Sequence, residues 1–211
     1  VKLEGQRWRT LLSTVRLGPD EYRVIRPLKP LSHAPMHEGY LGMQMTVDKT
    51  TARTLAMAWA LAARSPRTIV YLPMRHSDRR CSLFGTGEER LLDLVLLHHS
   101  LGFPASRWKA VRAKLGAGRP HTVVSQGLPE VEYVVEHDDR DVLRHDIAAD
   151  TLFLVGSRKA FEYWGEPLRE LVEDCPRHMH EEPGTHCCAE VTVDGMRQWL
   201  HVEYCLEHRV R

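Results

Sequence analysis

Three cysteines and three histidines crowd into CPRHMHEEPGTHCC, residues 175 to 188, and His201, Glu203 and Cys205 follow before the chain ends. Thiolate, imidazole and carboxylate are the groups that zinc takes at roughly 2.0–2.3 Å, usually four at a time. The spacing C-x2-H-x-H-x5-H-C-C contains no paired C-x2-C, so it matches neither a finger nor a ribbon. Any metal set must therefore be assembled by the fold. Two strand-like runs, AEVTV and MRQWLHVEYC, flank Asp194-Gly195, a dipeptide suited to a two-residue hairpin turn. Pairing Val193 with Met196 would place Cys188 opposite His201 and His186 opposite Glu203. Alternation then puts Ala189, Val191, Leu200 and Val202 on an apolar face and the four ligand types on the other. His186, Cys188, His201 and Glu203 are the candidate zinc ligands, because opposing Cβ atoms in a hairpin stand only ~5 Å apart. Cys175, His178 and His180 could fold back to join them. The competing reading is a polar hairpin face that binds nothing, and a register slip would dissolve the set.

A second constellation lies upstream. LVLLHHSLGFPASRWKAVRAKLGAGRP reads as helix, glycine-containing turn, helix, the order of a helix-turn-helix. Trp108, Val111 and Leu115 would face inward from its second helix. Arg107, Lys109, Arg112, Lys114 and the nearby Arg119 flank that stripe, and no acidic residue occurs from 94 to 129. Such a surface would neutralise phosphates and give nucleic acid salt-sensitive affinity. The order helix, strand, helix, helix, strand, turn, strand from 50 to 137 resembles a winged-helix domain. The presumed recognition helix offers no Asn or Gln for reading adenine.

The remaining chemistry is sparse. No G-x-S-x-G, P-loop, G-x-G-x-x-G or H-E-x-x-H occurs. RHSDRR, from residue 75, places arginines after a strand end, where α/β sheets hold ligands. In EHDDRDVLRHD a helix would bring Asp141 and His145 one turn apart. A charged loop and a solvated connector explain both stretches as well.

Composition bounds the rest. The 211 residues, 43% hydrophobic and 27% charged, describe a soluble globular chain with a real core. No run of about 18 apolar residues exists to span a membrane. Five cysteines, an odd and uneven set, fit reduced thiols and a cytoplasmic location better than a disulfide scaffold. Arginine outnumbers lysine 23 to 6, a GC-rich coding bias, so Val1 reads as the GTG start of a bacterial chain. Residues 1–128 hold 20 basic and 9 acidic side chains, and residues 129–211 hold 9 and 19. The split suggests either a polyanion-binding half or two halves that attract each other.

The elements implied are a helix over 1–16, a Pro-rich connector, a strand over 39–47, a helix from 50 capped by Asp48 or Thr50, and a strand over 68–74. Helices over 88–102 and 104–116 follow, then strands in HTVVSQ and EVEYVVEH. A strand at 151–157, a helix interrupted at Gly165 and Pro167, and the hairpin complete the chain. The expected class is α+β, a mixed sheet with helices packed on it and a C-terminal β-hairpin. Its portions are 1–38, a basic 39–137 and an acidic 138–211, unless all three form one domain. The expected function is binding: a nucleic-acid regulator with a C-terminal metal or effector site. The alternatives are a zinc-dependent hydrolase and a protein-interaction or immunity-type module, with a protein partner or self-association.

Overall fold

The computed structural model describes residues 1–40, 42–78, 89–131, 141–182, 184–197 and 199–205. Its elements in chain order are β1 (Arg7–Leu17), β2 (Asp20–Pro27), β3 (Met36–Gly39), β4 (Gly42–Val47), α1 (Lys49–Arg64), β5 (Thr68–Leu72) and β6 (Asp93–His98). Then come α2 (Trp108–Ala113), β7 (Arg119–Val124), β8 (Arg144–Ala148), β9 (Thr151–Gly156), α3 (Arg158–Tyr163), α4 (Glu166–Glu173), α5 (Cys175–Glu181), β10 (Cys188–Thr192) and β11 (Trp199–Tyr204). A seven-stranded mixed sheet runs β7-β1-β2-β5-β6-β9-β8, and a four-stranded sheet runs β10-β11-β4-β3. The α+β expectation holds, with helices on mixed sheets and a C-terminal strand pair. Each sheet contains strands from before and after residue 128, which meet once in each, at β6-β9 and at β4-β11, so the basic and acidic segments share both sheets.

Both faces of the large sheet are covered. On one, Trp108 and Val111 of α2 and Leu115 just after it cover Ile69, Tyr71, Val95, Leu97 and Phe153. On the other, Val70, Leu72, Leu94, Leu96, Leu152 and Leu154 share an apolar cluster with α1, α3, α4 and the inner face of the small sheet. Helix α1 begins where Asp48 caps it, its carboxylate accepting from Thr51 N at 2.7 Å. The indole N–H of Trp59 reaches Phe161 O at 2.7 Å and ties α1 to α3.

Three sequence expectations are corrected. The stretch predicted as a helix over 88–102 is, where described, strand β6 followed by a 3-10 turn at His99–Leu101. Leu94, Val95, Leu96 and Leu97 are all apolar because both faces of a central strand are buried, and a short unbroken apolar run does not distinguish strand from helix. The helix-turn-helix pair, and with it the winged-helix order, is therefore not formed. The helix expected over 1–16 is not formed: most of that stretch lies in β1, the longest described strand, where Trp8, Thr10 and Leu12 alternate inward against exposed Arg7 and Arg9. Residues 144–148 are a strand rather than a connector or helix, so Asp141 and His145 do not share a helical turn. The loop joining β8 to β9 is two residues, Ala149 and Asp150, both left-handed at φ 49° and 58°. The strand expected in EVEYVVEH falls almost wholly outside the described residues.

Helix α4 is fastened to the start of the chain. Glu173 accepts Leu3 N at 2.7 Å and Lys2 Nζ at 3.1 Å. Burial pushes this carboxyl up, but the Leu3 N–H, Lys2 and Arg169 outweigh it and hold the group below the usual carboxylate range. A depressed pKa stabilises the fold above the unfolded carboxyl range, and that gain is lost as pH falls through the folded value. Glu173→Gln is expected to lose about 1–2 kcal/mol at neutral pH. Urea unfolding at a series of pH values should show the difference shrinking as acid is added; a constant difference would assign the effect to packing.

Candidate metal centre

The small sheet is ordered so that one face enters the core while the other is lined with polar groups. Ala189, Val191, Leu200 and Val202 are buried on the apolar side. On the polar side, Glu190 lies opposite His201, His201 beside Gln44, and Gln44 opposite His37, one row across four strands. Cys188 sits opposite Glu203 in the adjoining row. Expectation and structure differ by two residues here. Asp194 and Gly195 do not make a two-residue turn; the connection spans 193–198, with Asp194 N bonded to Leu143 O at 2.7 Å and Asp194 O to the His145 ring at 3.0 Å. The edge of β8 thus captures the dipeptide expected to close the hairpin. Because the displacement is an even number of residues, each side chain keeps its predicted face although every cross-strand partner changes.

His186, Cys188 and His201 converge, one ligand atom of each lying within 4.8 Å of the others. Tetrahedral zinc needs these atoms roughly 3.3–3.8 Å apart, a distance that small side-chain rotations supply. The two imidazoles lie nearly parallel, 16° between planes and 5.9 Å between centroids. Each turns its Nδ1 toward a carboxylate: His186 to Glu203 Oε1 at 3.3 Å, His201 to Glu190 Oε1 at 3.5 Å. Glu203 is thus brought to the cluster at the back of an imidazole. Its side chain is 4% exposed, and Oε2 accepts no hydrogen bond.

No family model, curated protein or solved structure matches the chain.

The site therefore has to be read from its own electrostatics. Burial pushes the Cys188 thiol up, and Glu190 and Glu203 add to the shift. Burial pushes the Glu203 carboxyl up, opposed by His186. Burial pushes the His201 imidazole down against the pull of Glu190. All three groups are held toward their neutral forms in a place that gathers a thiol and two carboxyls. A cation would reverse each cost. Gly42 permits the arrangement: at φ +101° it runs so close to Trp199 that a Cβ would collide with the Trp199 backbone.

The other expected ligands lie elsewhere. Cys175, His178 and His180 are carried by α5 and do not belong to the three-residue cluster. The basic residues of 107–119 divide. Arg107 pairs with Asp20 and Tyr22, and Arg112 turns inward to Ala149 O at 2.9 Å and Asp93 at 3.4 Å. Lys109, Lys114 and Arg119 are exposed. Arg75 of RHSDRR joins the same buried network, 3.0 Å from both Asp93 and Asp150. Glu190 was not among the expected site residues, although its place two residues beyond Cys188 puts it on the same strand face. No described helix is long and apolar enough to cross a membrane.

Proposed function

We propose that this is a metal-binding protein whose small sheet holds one transition-metal ion, zinc fitting the ligand set best. His186, Cys188 and His201 are the ligands, and Glu203 and Glu190 orient the imidazoles. The observation that carries this reading is the convergence of His186, Cys188 and His201 within 4.8 Å, with a carboxylate beside the Nδ1 of each imidazole. Metal-binding histidines are commonly held this way, and the orienting groups are worth 10–100-fold in affinity. Soft thiolate with imidazole favours zinc over magnesium or calcium.

Elemental analysis of purified protein, with zinc affinity from chelator competition, tests it. One zinc per chain is expected, with affinity lowered more than about hundredfold by Cys188→Ala and about 10–100-fold by Glu190→Gln or Glu203→Gln. A Glu203→Gln loss as deep as that of Cys188→Ala would make Glu203 a fourth ligand. Failure of both zinc and cobalt to bind saturably would remove the reading.

A zinc-dependent hydrolase is the second reading, favoured by one observation. The His186 side chain is 53% exposed, so the site is open on one side, and three protein ligands leave a position for water. Zinc-dependent cleavage of a simple aryl ester, absent in Cys188→Ala, is its expected signature.

A further inference from the structure

The cover that α2 gives one face of the large sheet stops short of the corner formed by β7, β1 and β2. Val15, Tyr22 and Val24 lie beneath the helix on that face. Alternation back from Val15 brings Leu11, Arg9 and Arg7 of β1 to the same side. The register sets Arg26 opposite Leu11, Thr122 opposite Arg9 and Val124 opposite Arg7, so no acidic residue occupies any of these six positions. Arg7, Arg9 and Thr122 are exposed and Val124 is 52% exposed, so the corner faces solvent. Arg7 and Arg9 enter no ion pair among the described residues. Arg26 bonds Gly116 O at 2.6 Å and Ala117 O at 3.0 Å, both through Nη2, which fixes the group without giving its charge a carboxylate.

Arginines two residues apart on one strand stand ~7 Å from each other, a repeat that suits a chain of anions better than a single one. Arg9 also borders a cavity of about 200 Å³, together with Lys29, Trp8, Pro27, Pro30 and Thr54, and no carboxylate lines it. Leu28, whose N–H bonds Arg9 O at 3.0 Å, belongs to the same wall, so the cavity adjoins the arginine row. It is smaller than the pockets that take drug-sized molecules, and its wall is largely apolar. Bases stacked inside a duplex cannot enter such a space, whereas unpaired bases splay out and bury themselves against aromatic and apolar side chains. An anionic membrane offers repeated charge as well. Surfaces that enter membranes present Trp, Phe or Leu among their cations, and the residues across from Arg9 and Arg7 are Thr122 and Val124.

We infer that this corner binds single-stranded nucleic acid, with backbone phosphates on Arg7, Arg9 and Arg26 and one unpaired base in the adjoining cavity. Guanidinium forks hold phosphate oxygens with paired hydrogen bonds. The surface is separate from the 107–119 stretch, whose Arg107 and Arg112 are engaged by Asp20 and Asp93. It shares no residue with the metal cluster and stands independently of that reading.

Fluorescence anisotropy with a labelled oligothymidylate of about twelve nucleotides tests the inference. Saturable binding is expected, with log K falling against log salt at a slope of about −2, the value for three phosphates of a single strand. An abasic oligomer and a duplex of the same length should each bind at least about fivefold more weakly, because neither supplies the buried base. Arg7→Glu with Arg9→Glu, both at exposed positions, should keep the parent Tm and weaken binding at least about tenfold. Cys188→Ala should bind as the parent does, which separates this surface from the metal centre. Absence of binding at about 100 μM protein and 50 mM salt would overturn the inference, as would a slope near zero. So would a double variant that binds as the parent, an abasic oligomer held equally well, or tighter binding to phosphatidylserine vesicles than to the oligonucleotide.

Discussion

Asp93→Ala is expected to cost about 3–5 kcal/mol of folding stability, because it strands buried charges rather than merely removing a contact. The carboxylate is 2% exposed at the start of β6. It accepts Tyr71 Oη at 2.9 Å, Met74 N at 2.9 Å, and Arg75 N and Nε at 3.0 Å, with Arg112 at 3.4 Å. Without it, two half-buried guanidinium groups and two backbone N–H groups lose their shared anion, Arg75 keeping Asp150 and Arg112 keeping Ala149 O. The Tyr71 hydroxyl, pushed far up first by burial and then by Asp93, would lose its acceptor as well. Asp93→Asn keeps the shape and some acceptor capacity, so about half the loss is expected. Urea unfolding at pH 7 measures both. A loss below about 1 kcal/mol for alanine would mean that water reaches Arg75 and Arg112 and screens them.

Zinc is expected to raise the stability of the chain by about 4 kcal/mol when its free concentration is a thousandfold above Kd. For a chain of this length that corresponds to roughly 8–16 °C in Tm. The gain arises because the ligands are brought together only by the fold: Cys188 is on β10, His186 precedes it, and His201 lies on β11 between β10 and β4. The unfolded chain keeps His186 and Cys188 close in sequence but sends His201 away. His201→Ala should therefore remove nearly all of the shift while costing the metal-free protein little. Scanning fluorimetry with zinc, with magnesium as the control, is the measurement. An equal shift with magnesium, or none with zinc, would place the stabilisation outside these ligands.

The sequence was legible where one physical signal dominated. Alanine and leucine with an Asp48 cap made α1 plain, β-branched runs made β5 and β9 plain, and Gly165 with Pro167 marked the break between α3 and α4. It misled where tertiary context supplied the deciding term. The run Leu94–Leu97 is apolar on both faces because β6 is a central strand, and no local feature says whether such a run coils or extends. Residues 7–12 alternate, but the polar Thr10 on the buried side and the paired burial of Leu12 and Ser13 hid the pattern. The gathering of His186, Cys188 and His201 was legible for a narrower reason. Facing depends only on alternation within each strand, and alternation survives a displacement by two. The roles within the cluster were not legible, since whether a glutamate meets an ion or the far nitrogen of an imidazole depends on about an ångström of geometry.

One consequence concerns the rim of the seven-stranded sheet. Among the described residues strand β7 pairs with β1 alone, and it is exposed along most of its length. Its first three residues are Arg119, Pro120 and His121. A foreign strand seeking to extend the sheet would meet a cation, a position with no amide hydrogen and an imidazole in succession. Natural sheets discourage fibrillar stacking by such means. The exposed Val124 at its far end is the weak point of that barrier, and a lysine there would close it.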